Sequence, residues 1–358
     1  MNALSIRRAD SKDAPALASL FADAAMQHFT DVPPHTGVAY WEQRLADYAD
    51  ASHLPLVAIK DGAVIGLALL QAFPNHIRRK HSASIRMLAV STAHRRTGVG
   101  RALIEALIRA CDDWLNVRRI EVAIDADSAA LHRYYASFGF VAEGRKCKDI
   151  LHAGQYVDVA VLSRMNEGNL PAPTAPKLLI AKRKKLRPIK IAVRPATSDD
   201  ADAFASIFAS RSASSGTLQH PYTSTDIWHT RLSSNTSTRQ VVFAATVNGR
   251  VVGNAGVHPV SDNPRQRHVC SVGLGVTDTY QSRGVGRALM NACLDFADHW
   301  ANYARVELTV HADNTRAIKL YESLGFVVEG QHRDFSFREG GYVDALFMGR
   351  LSRALATC

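Results

Sequence analysis

Two α/β domains in tandem, each a mixed sheet with helices on both faces, are what this sequence predicts, and three observations predict them. The chain has 358 residues, long for one compact domain and comfortable for two of about 160–170 residues, each with its own core. Its halves repeat one another almost without gaps, which points to duplication of a whole domain. Within each half, strand-type alternation and helical spacing follow one another in an order that builds a mixed sheet covered by helices.

The repeat runs from Ile6-Arg7-Arg8-Ala9 against Val193-Arg194-Pro195-Ala196 and Trp41-x-x-Arg44-Leu45 against Trp228-x-x-Arg231-Leu232 to Tyr156-Val157-Asp158 against Tyr342-Val343-Asp344, with one residue lost between Gly66 and Val90. Opening strands are predicted at Ser5–Arg8 and Ile191–Arg194, followed by helices with apolar residues at Ala14, Leu17 and Phe21. Asp61-Gly62 and Asn248-Gly249, flanked by Leu56–Ile59 and Val64–Leu69 or by Val241–Val247 and Val251–Val257, are hairpin signals. The next strands, Ile85–Val90 and Cys270–Val276, run into a glycine-containing loop and a helix whose Leu289, Cys293, Ala297 and Trp300 form a core-facing stripe. Alternation in Ile120, Val122, Ile124 and in Val306, Leu308, Val310 marks a further strand; a short helix and two last strands close each half. The domains are expected at 1–166 and 191–358, with 167–190 as a proline-containing basic linker.

Composition narrows the class. The content of 47% hydrophobic and 21% charged residues is that of a globular protein. The N-terminus has no apolar core of a signal peptide and no run approaches the ~20 apolar residues of a membrane span, so a cytoplasmic protein without a membrane partner is expected. The net charge of +10 is concentrated in Lys177–Lys190, where seven basic residues stand with no acid. Its core, Lys182-Arg183-Lys184-Lys185, carries no interleaved aromatics and reads as solvated linker rather than as a nucleic-acid contact. Cys111, Cys147, Cys270, Cys293 and Cys358 are odd in number and scattered, without metal-site spacing, so neither a disulfide framework nor a metal is expected.

The strand–loop–helix stretch carries the chemistry. In Val276–Met290 an apolar strand end, the loop Gln281-Ser282-Arg283-Gly284-Val285-Gly286 and an amphipathic helix follow directly; Arg95-Arg96-Thr97-Gly98-Val99-Gly100 is the counterpart. A strand turning into a helix through glycines leaves unpaired N–H groups at the positive end of the helix dipole, a site for a pyrophosphate. Arg283 and Arg287, or Arg96 and Arg101, add charge. A Walker loop is excluded by the lack of Gly-Lys-Ser/Thr, and a dinucleotide fingerprint by Leu103 and Leu289 where its third glycine would stand.

This Gln/Arg-x-x-Gly-x-Gly pattern resembles the acetyl-CoA pyrophosphate loop of the GNAT superfamily of N-acetyltransferases, and each half also carries Tyr-x-x-x-Gly-Phe, at Tyr135–Phe140 and Tyr321–Phe326. The resemblance covers nearly all of the chain outside the linker. It implies two GNAT domains, each a mixed, mostly antiparallel sheet flanked by helices, with acetyl-CoA as cofactor. It further implies that backbone N–H groups around Leu274-Gly275-Val276 and Leu88-Ala89-Val90 face the acyl group, on a strand splayed from its neighbour. Tyr321 and Tyr135 match the tyrosine that protonates the departing thiolate, a task suited to a phenol of pKa ~10. Asn314 is expected at the pantetheine arm, or simply as the N-cap of the next helix. In the first half Ser128 and Leu131 stand where the second has Asn314 and Ala317, which makes the first the weaker catalyst candidate.

The general base is not fixed by the sequence; Glu307, His220, His258 and His268 are candidates. Gly216–Tyr222, with Gln219 and His220, then Trp228 and Arg231, together with Tyr342-Val343-Asp344, resembles the GNAT subgroup that acetylates free amino acids, with Arg231 or His220 as partner for a carboxylate. The first half retains Thr30, Pro34, Trp41 and Arg44 but lacks the Leu-Gln-His run. The expectation is an N-acetyltransferase acting on a small primary amine, with an amino acid as the expected acceptor, mainly in the second domain. Its alternatives are a non-catalytic acyl-CoA-binding or regulatory module and a protein or peptide N-acetyltransferase.

Overall fold

A computed structural model describes residues 4–23, 26, 32–33, 35–166, 168, 173–178, 189–233 and 238–352. Thr30, Pro34, Pro171, the Lys182–Lys185 run and Cys358 lie outside the described residues. The chain divides into two compact units, Met1–Arg145 with Ile150–Ala172, and Lys146–Asp149 with Pro173–Cys358.

The first unit runs β1 (Ser5–Arg8), α1 (Ala14–Ala22), α2 (Val38–Asp47), β2 (His53–Lys60), β3 (Ala63–Ala72), β4 (Ser82–Val90), α3 (Val99–Asp113), β5 (Arg119–Asp125), α4 (Ala129–Ala136), β6 (Val141–His152) and β7 (Gln155–Met165), with strand order β1-β2-β3-β4-β5-β7-β6. The second repeats this as β8 (Ala192–Pro195), α5 (Ala201–Ala209), α6 (Arg211–Ser215), α7 (Thr225–Ser233), β9 (Val241–Val247), β10 (Arg250–Pro259), β11 (Val269–Val276), α8 (Val285–Asp295), β12 (Arg305–His311), α9 (Thr315–Glu322), β13 (Val327–Arg338) and β14 (Gly341–Leu351), in the order β8-β9-β10-β11-β12-β14-β13. Each sheet is mixed and mostly antiparallel; β4–β5 and β11–β12 are the parallel pairs within the units. Asp61-Gly62 and Asn248-Gly249 all have positive φ, as the tight hairpins between β2 and β3 and between β9 and β10 require.

Helices α3 and α8 bury one face on their sheets. Leu103, Ile104, Leu107 and Cys111 in the first, and Leu289, Met290, Cys293 and Leu294 in the second, pack against the inward residues of the strands. Trp300 departs from the expected stripe: α8 continues as a wider π-turn over Phe296–Trp300, the angular register slips, and Trp300 is 78% exposed. Buried ion pairs are duplicated along with the fold. Arg119 pairs with Glu143 at 2.5 Å and Arg305 with Glu329 at 2.6 Å, both arginines essentially inaccessible. Arg7–Asp13 and Arg194–Asp200, each 2.7 Å, tie the opening strand to the first helix. The Arg119–Glu143 and Arg305–Glu329 pairs, buried between strands, are costly to break from one side and so fix strand against strand, whereas the half-exposed Arg7 and Arg194 pairs are worth less.

Candidate active site

The parallel pairing of β11 with β12 extends only from Val269–Arg305 to Ser271–Glu307, although β11 runs to Val276 and β12 to His311. The two strands part beyond that register, and a cavity of about 1250 Å³ lies in the opening. Its walls include Gly273–Val276 from β11, Glu307–Val310 from β12, the loop before α8, and the N-terminal residues of α9. The first unit parts in the same way, with pairing from Ser82–Arg119 to Ile85–Val122 while β4 continues to Val90.

Beyond the strand the loop has the backbone geometry of an anion cradle. Ser282 and Gly284 have φ of 59° and 93°, and Arg96 and Gly98 have 60° and 90°. Alternating left-handed residues turn successive N–H groups to one side, and Gly284 and Gly98 are the N-caps of α8 and α3. Gly286 is closely packed: a Cβ there would stand 3.2 Å from Leu320 and 3.4 Å from Leu274. Gln281 closes the loop from behind: its Nε2 donates to Val276 O and Ser212 Oγ, both at 3.0 Å. Arg95 makes the equivalent tie, Nε to Val90 O at 3.3 Å.

Most residues singled out in the second loop converge on the cavity. Leu274, Val276, Gln281, Ser282, Gly284, Gly286 and Arg287 line it, and Arg287 is held by Ser323 Oγ at 2.7 Å. Val285 instead places its side chain in the core, and Arg283 lies over the Tyr280 ring. In the first unit Val99 is core, and Arg101 lies over Phe138 with a bond to Ser137 Oγ at 3.3 Å. Gly100 lies under Tyr134, whose Oη would be 3.1 Å from a Cβ there. Asn314 is the N-cap of α9, its Oδ1 accepting from Ala317 N at 3.3 Å, and the residue also lines the cavity. Ser128 caps α4 in the same way.

Tyr321 lines the cavity and is also part of the core, 8% exposed and edge-on to Phe326. Burial, helped by the nearby Cys293 thiol, pushes its phenol upward, so it holds its proton throughout the neutral range. Tyr135 is buried against Tyr134 and Phe140 and is raised for the same reason.

On the acceptor side, Trp228 stacks on Phe208 at 5.1 Å and Arg231 lies 5.0 Å over the Trp228 ring, donating to Gln219 Oε1 at 3.0 Å. Gln219, Trp228 and Arg231 line the cavity, and burial lowers the Arg231 pKa, a condition that an anionic partner relieves. His220 is not on the lining; its Nδ1 accepts from Tyr222 N at 3.2 Å within a turn. Among the base candidates, His268 bonds Lys148 O at 2.8 Å, away from the lining. Glu307 does line the cavity. Burial alone would raise its carboxyl, but Lys146, 3.0 Å away in the same compact unit, and Arg305 at 3.2 Å outweigh burial and hold it below the usual range. A carboxylate so held is a counter-ion and a poor proton acceptor.

The face of β10 and β11 beneath α5 and α7 brings the candidate His258 and Gly275 together with four residues the sequence did not single out, Asn254, Gly256, Ser271 and Gly273. Asn254, Gly256 and His258 alternate along β10 opposite Gly275, Gly273 and Ser271, and all six line the cavity. Burial lowers the His258 pKa, which keeps the ring neutral at neutral pH. Asn254 is 7% exposed, and its Oδ1 is buried without a hydrogen-bond partner. The sequence signal for this face was a polar side chain and glycines within an apolar alternation, in Arg250–Pro259.

The model of the acetyltransferase (GNAT) family matches residues 17–140 and again 206–326. Over 162 residues the chain is 37% identical to the L-amino acid N-acetyltransferase AaaT of Escherichia coli (strain K12), covering 45% of this chain and 98% of that protein. It is 33% identical over 115 residues to the [ribosomal protein bS18]-alanine N-acetyltransferase of the same strain, covering 32% and 74%. Among solved structures, an acetyltransferase of the GNAT family from Streptococcus pneumoniae aligns with TM-score 0.42 and 24% identity over 46% of this chain and 99% of its own. One from Salmonella typhimurium, solved with its cofactor acetyl-CoA, aligns with TM-score 0.43 and 22% identity over 47% and 98%. With two matched segments that together span more than half its length, the chain belongs to the GNAT family of N-acetyltransferases, which use acetyl-CoA.

Proposed function

We propose that the second unit is the catalytic one and that it acetylates the α-amine of a free amino acid. The observation that carries this reading is the strand face beside the parted strands: it is open over Gly273, while Gly275 and Gly256 make room for the Phe208 and His258 rings, and the Asn254 Oδ1 stands there buried without a hydrogen-bond partner. The residues fit acetyl-CoA. The left-handed Ser282 and Gly284 present N–H groups to a pyrophosphate, Gly286 admits it closely, and Leu274–Val276 offer strand-edge N–H groups to an acyl oxygen. Bound there, acetyl-CoA supplies the activated acyl group.

The remaining work falls to side chains. Arg231, oriented by Gln219 and the Trp228 face, suits the acceptor carboxylate. His258 is a neutral ring able to take a proton from the ammonium, and Tyr321 Oη retains a proton that a thiolate can take. The named activity of the Escherichia coli relative on L-amino acids supports the choice of acceptor. The test is CoA release from acetyl-CoA across free amino acids, polyamines and short peptides, by the whole chain, Tyr321→Phe and Tyr135→Phe. Turnover with amino acids that falls about 10²–10⁴-fold in Tyr321→Phe alone is expected. Turnover confined to peptides, or lost with Tyr135→Phe instead, overturns the reading.

A further inference from the structure

We infer that the segment Pro173–Leu178 is a strap that walls the acceptor cavity of the second unit and sets the size of the amine admitted, an inference that rests on the acceptor reading of that cavity. By sequence these residues are linker; in the structure they belong to the second unit. Thr174 forms a parallel bridge with Tyr342. Ala175 N donates to Tyr342 O at 2.9 Å and Tyr342 N to Pro173 O at 2.8 Å. Gly341 makes that pairing possible, because a Cβ there would overlap the backbone of Thr174 and Ala175.

The downstream end is pinned by a buried cation. Arg338, 3% exposed, donates to Asp313 at 2.6 and 3.0 Å and to Pro176 O at 2.7 Å. The same Asp313 accepts from Leu178 N at 2.7 Å. These bonds place Leu178 on the cavity wall, which it shares with Gly216 after α6 and Asn314 before α9. Prolines at 173 and 176 remove conformers the strap would otherwise have to lose. A free amino acid ends inside such a wall; a peptide chain would have to pass Leu178. Because the strap lies outside both segments matched by the family model, it adds a specificity element to this chain.

The test compares Leu178→Ala, Leu178→Trp and Gly341→Val with the wild-type full-length protein. The readouts are kcat/KM for alanine and for an alanine-initiated tripeptide, and the Kd of CoA. Leu178→Ala and Gly341→Val are expected to raise the tripeptide-to-alanine ratio about tenfold or more, the scale of discrimination set by a few methylenes, and Leu178→Trp to lower it. CoA affinity is expected to stay within about twofold in all three, since the strap faces the acceptor. A ratio unchanged in Leu178→Ala and Gly341→Val overturns the strap. A wild-type protein that turns over no free amino acid sinks the acceptor reading instead, before any variant is made. In that event the strap is read by amide exchange: slow exchange at Ala175 and Leu178 that becomes fast in Gly341→Val upholds it, and fast exchange in the wild type overturns it.

Discussion

The two units differ most where their folds agree best, on one face of two paired strands. In the first unit that face carries Leu67 and Leu69 opposite Ala89 and Met87, all buried together with Leu17, Phe21 and an inaccessible Trp41. In the second the same positions are Asn254 and Gly256 opposite Gly275 and Gly273. Each aliphatic side chain buried there contributes ~1.5–3 kcal/mol. The second unit forgoes that aliphatic packing: the Phe208 ring fills the space over Gly275 and the His258 ring that over Gly256, while the face over Gly273 is open to the cavity. Departures from the best-packed solution are expected where function constrains the chain, so the comparison supports the proposal that the second unit carries the chemistry.

The most direct way to break this comparison is to fill the second floor with the residue of the first. A Cβ on Gly273 would meet nothing within 4 Å, so Gly273→Met has room to fold and its side chain enters the cavity. CoA release with the best amino acid is expected to fall about a hundredfold or more, as misplacing a reactant by an ångström already does. A thermal melt no lower than wild type would separate this from misfolding. The reciprocal change, Met87→Gly, removes buried volume from a closed core and is expected to cost ~2–5 kcal/mol by denaturant titration. Wild-type rates in Gly273→Met would show that acceptors do not use this floor.

A smaller effect sharpens the assignment of Asn254. Its Oδ1 is buried and unpartnered, a state that costs ~1–3 kcal/mol in the free protein. Asn254→Leu, which restores the residue of the first unit, is therefore expected to raise or preserve Tm and, if the Asn254 amide bonds the acceptor as its unpartnered Oδ1 on the lining suggests, to lower kcat/KM about ten- to a hundredfold. A variant that is stabilised and fully active would reduce Asn254 to an unexplained polar residue.

His258 gives a pH test. Its folded pKa lies below the ordinary 6.5 because burial disfavours the cation, so the ring is neutral at neutral pH and carries a free lone pair for the proposed proton transfer. The kcat/KM profile is expected to hold level as pH falls past 6.5 and to drop only at the lower folded pKa, with the limb abolished in His258→Gln. Stability follows the same sign: below pH 6.5 the unfolded ring takes up a proton that the folded ring resists, so its contribution falls as the pH falls. A limb that survives in His258→Gln would assign the proton transfer to another group.

Much of this was legible in the sequence because it is local or repeated. Hairpin dipeptides, strand alternation and the strand–glycine–helix junction each depend on neighbouring residues, and the duplication doubled every signal. What escaped depends on distant packing. Trp300 fits the α8 stripe by spacing, and only the π-turn carries it to solvent. Asn254 reads as an isolated polar residue in a strand until Gly275 and Phe208 are seen to leave its amide buried. Composition marked Pro173–Leu178 as linker, whereas Arg338 and Gly341, more than 160 residues later, draw it onto the second unit. Parted strands leave no mark in either strand alone, because pairing is a property of both.

The smallest expected effect comes from the feature the units share. Gly98 and Gly284 have φ of 90° and 93°, and an added Cβ would meet nothing within 4 Å at Gly98 and only Ile191 at 3.6 Å at Gly284. Alanine at either position would therefore meet a backbone penalty without a collision, on the order of 1–3 kcal/mol, and nearly equal in the two loops. Equal losses in stability with unequal losses in activity are the expected pair of results: CoA release should fall several-fold in Gly284→Ala, whose loop borders the open cavity, and hold in Gly98→Ala. If Gly98→Ala lowers turnover as much as Gly284→Ala does, the first loop takes part in the reaction, and the division of labour drawn from the two strand faces fails despite the filled floor.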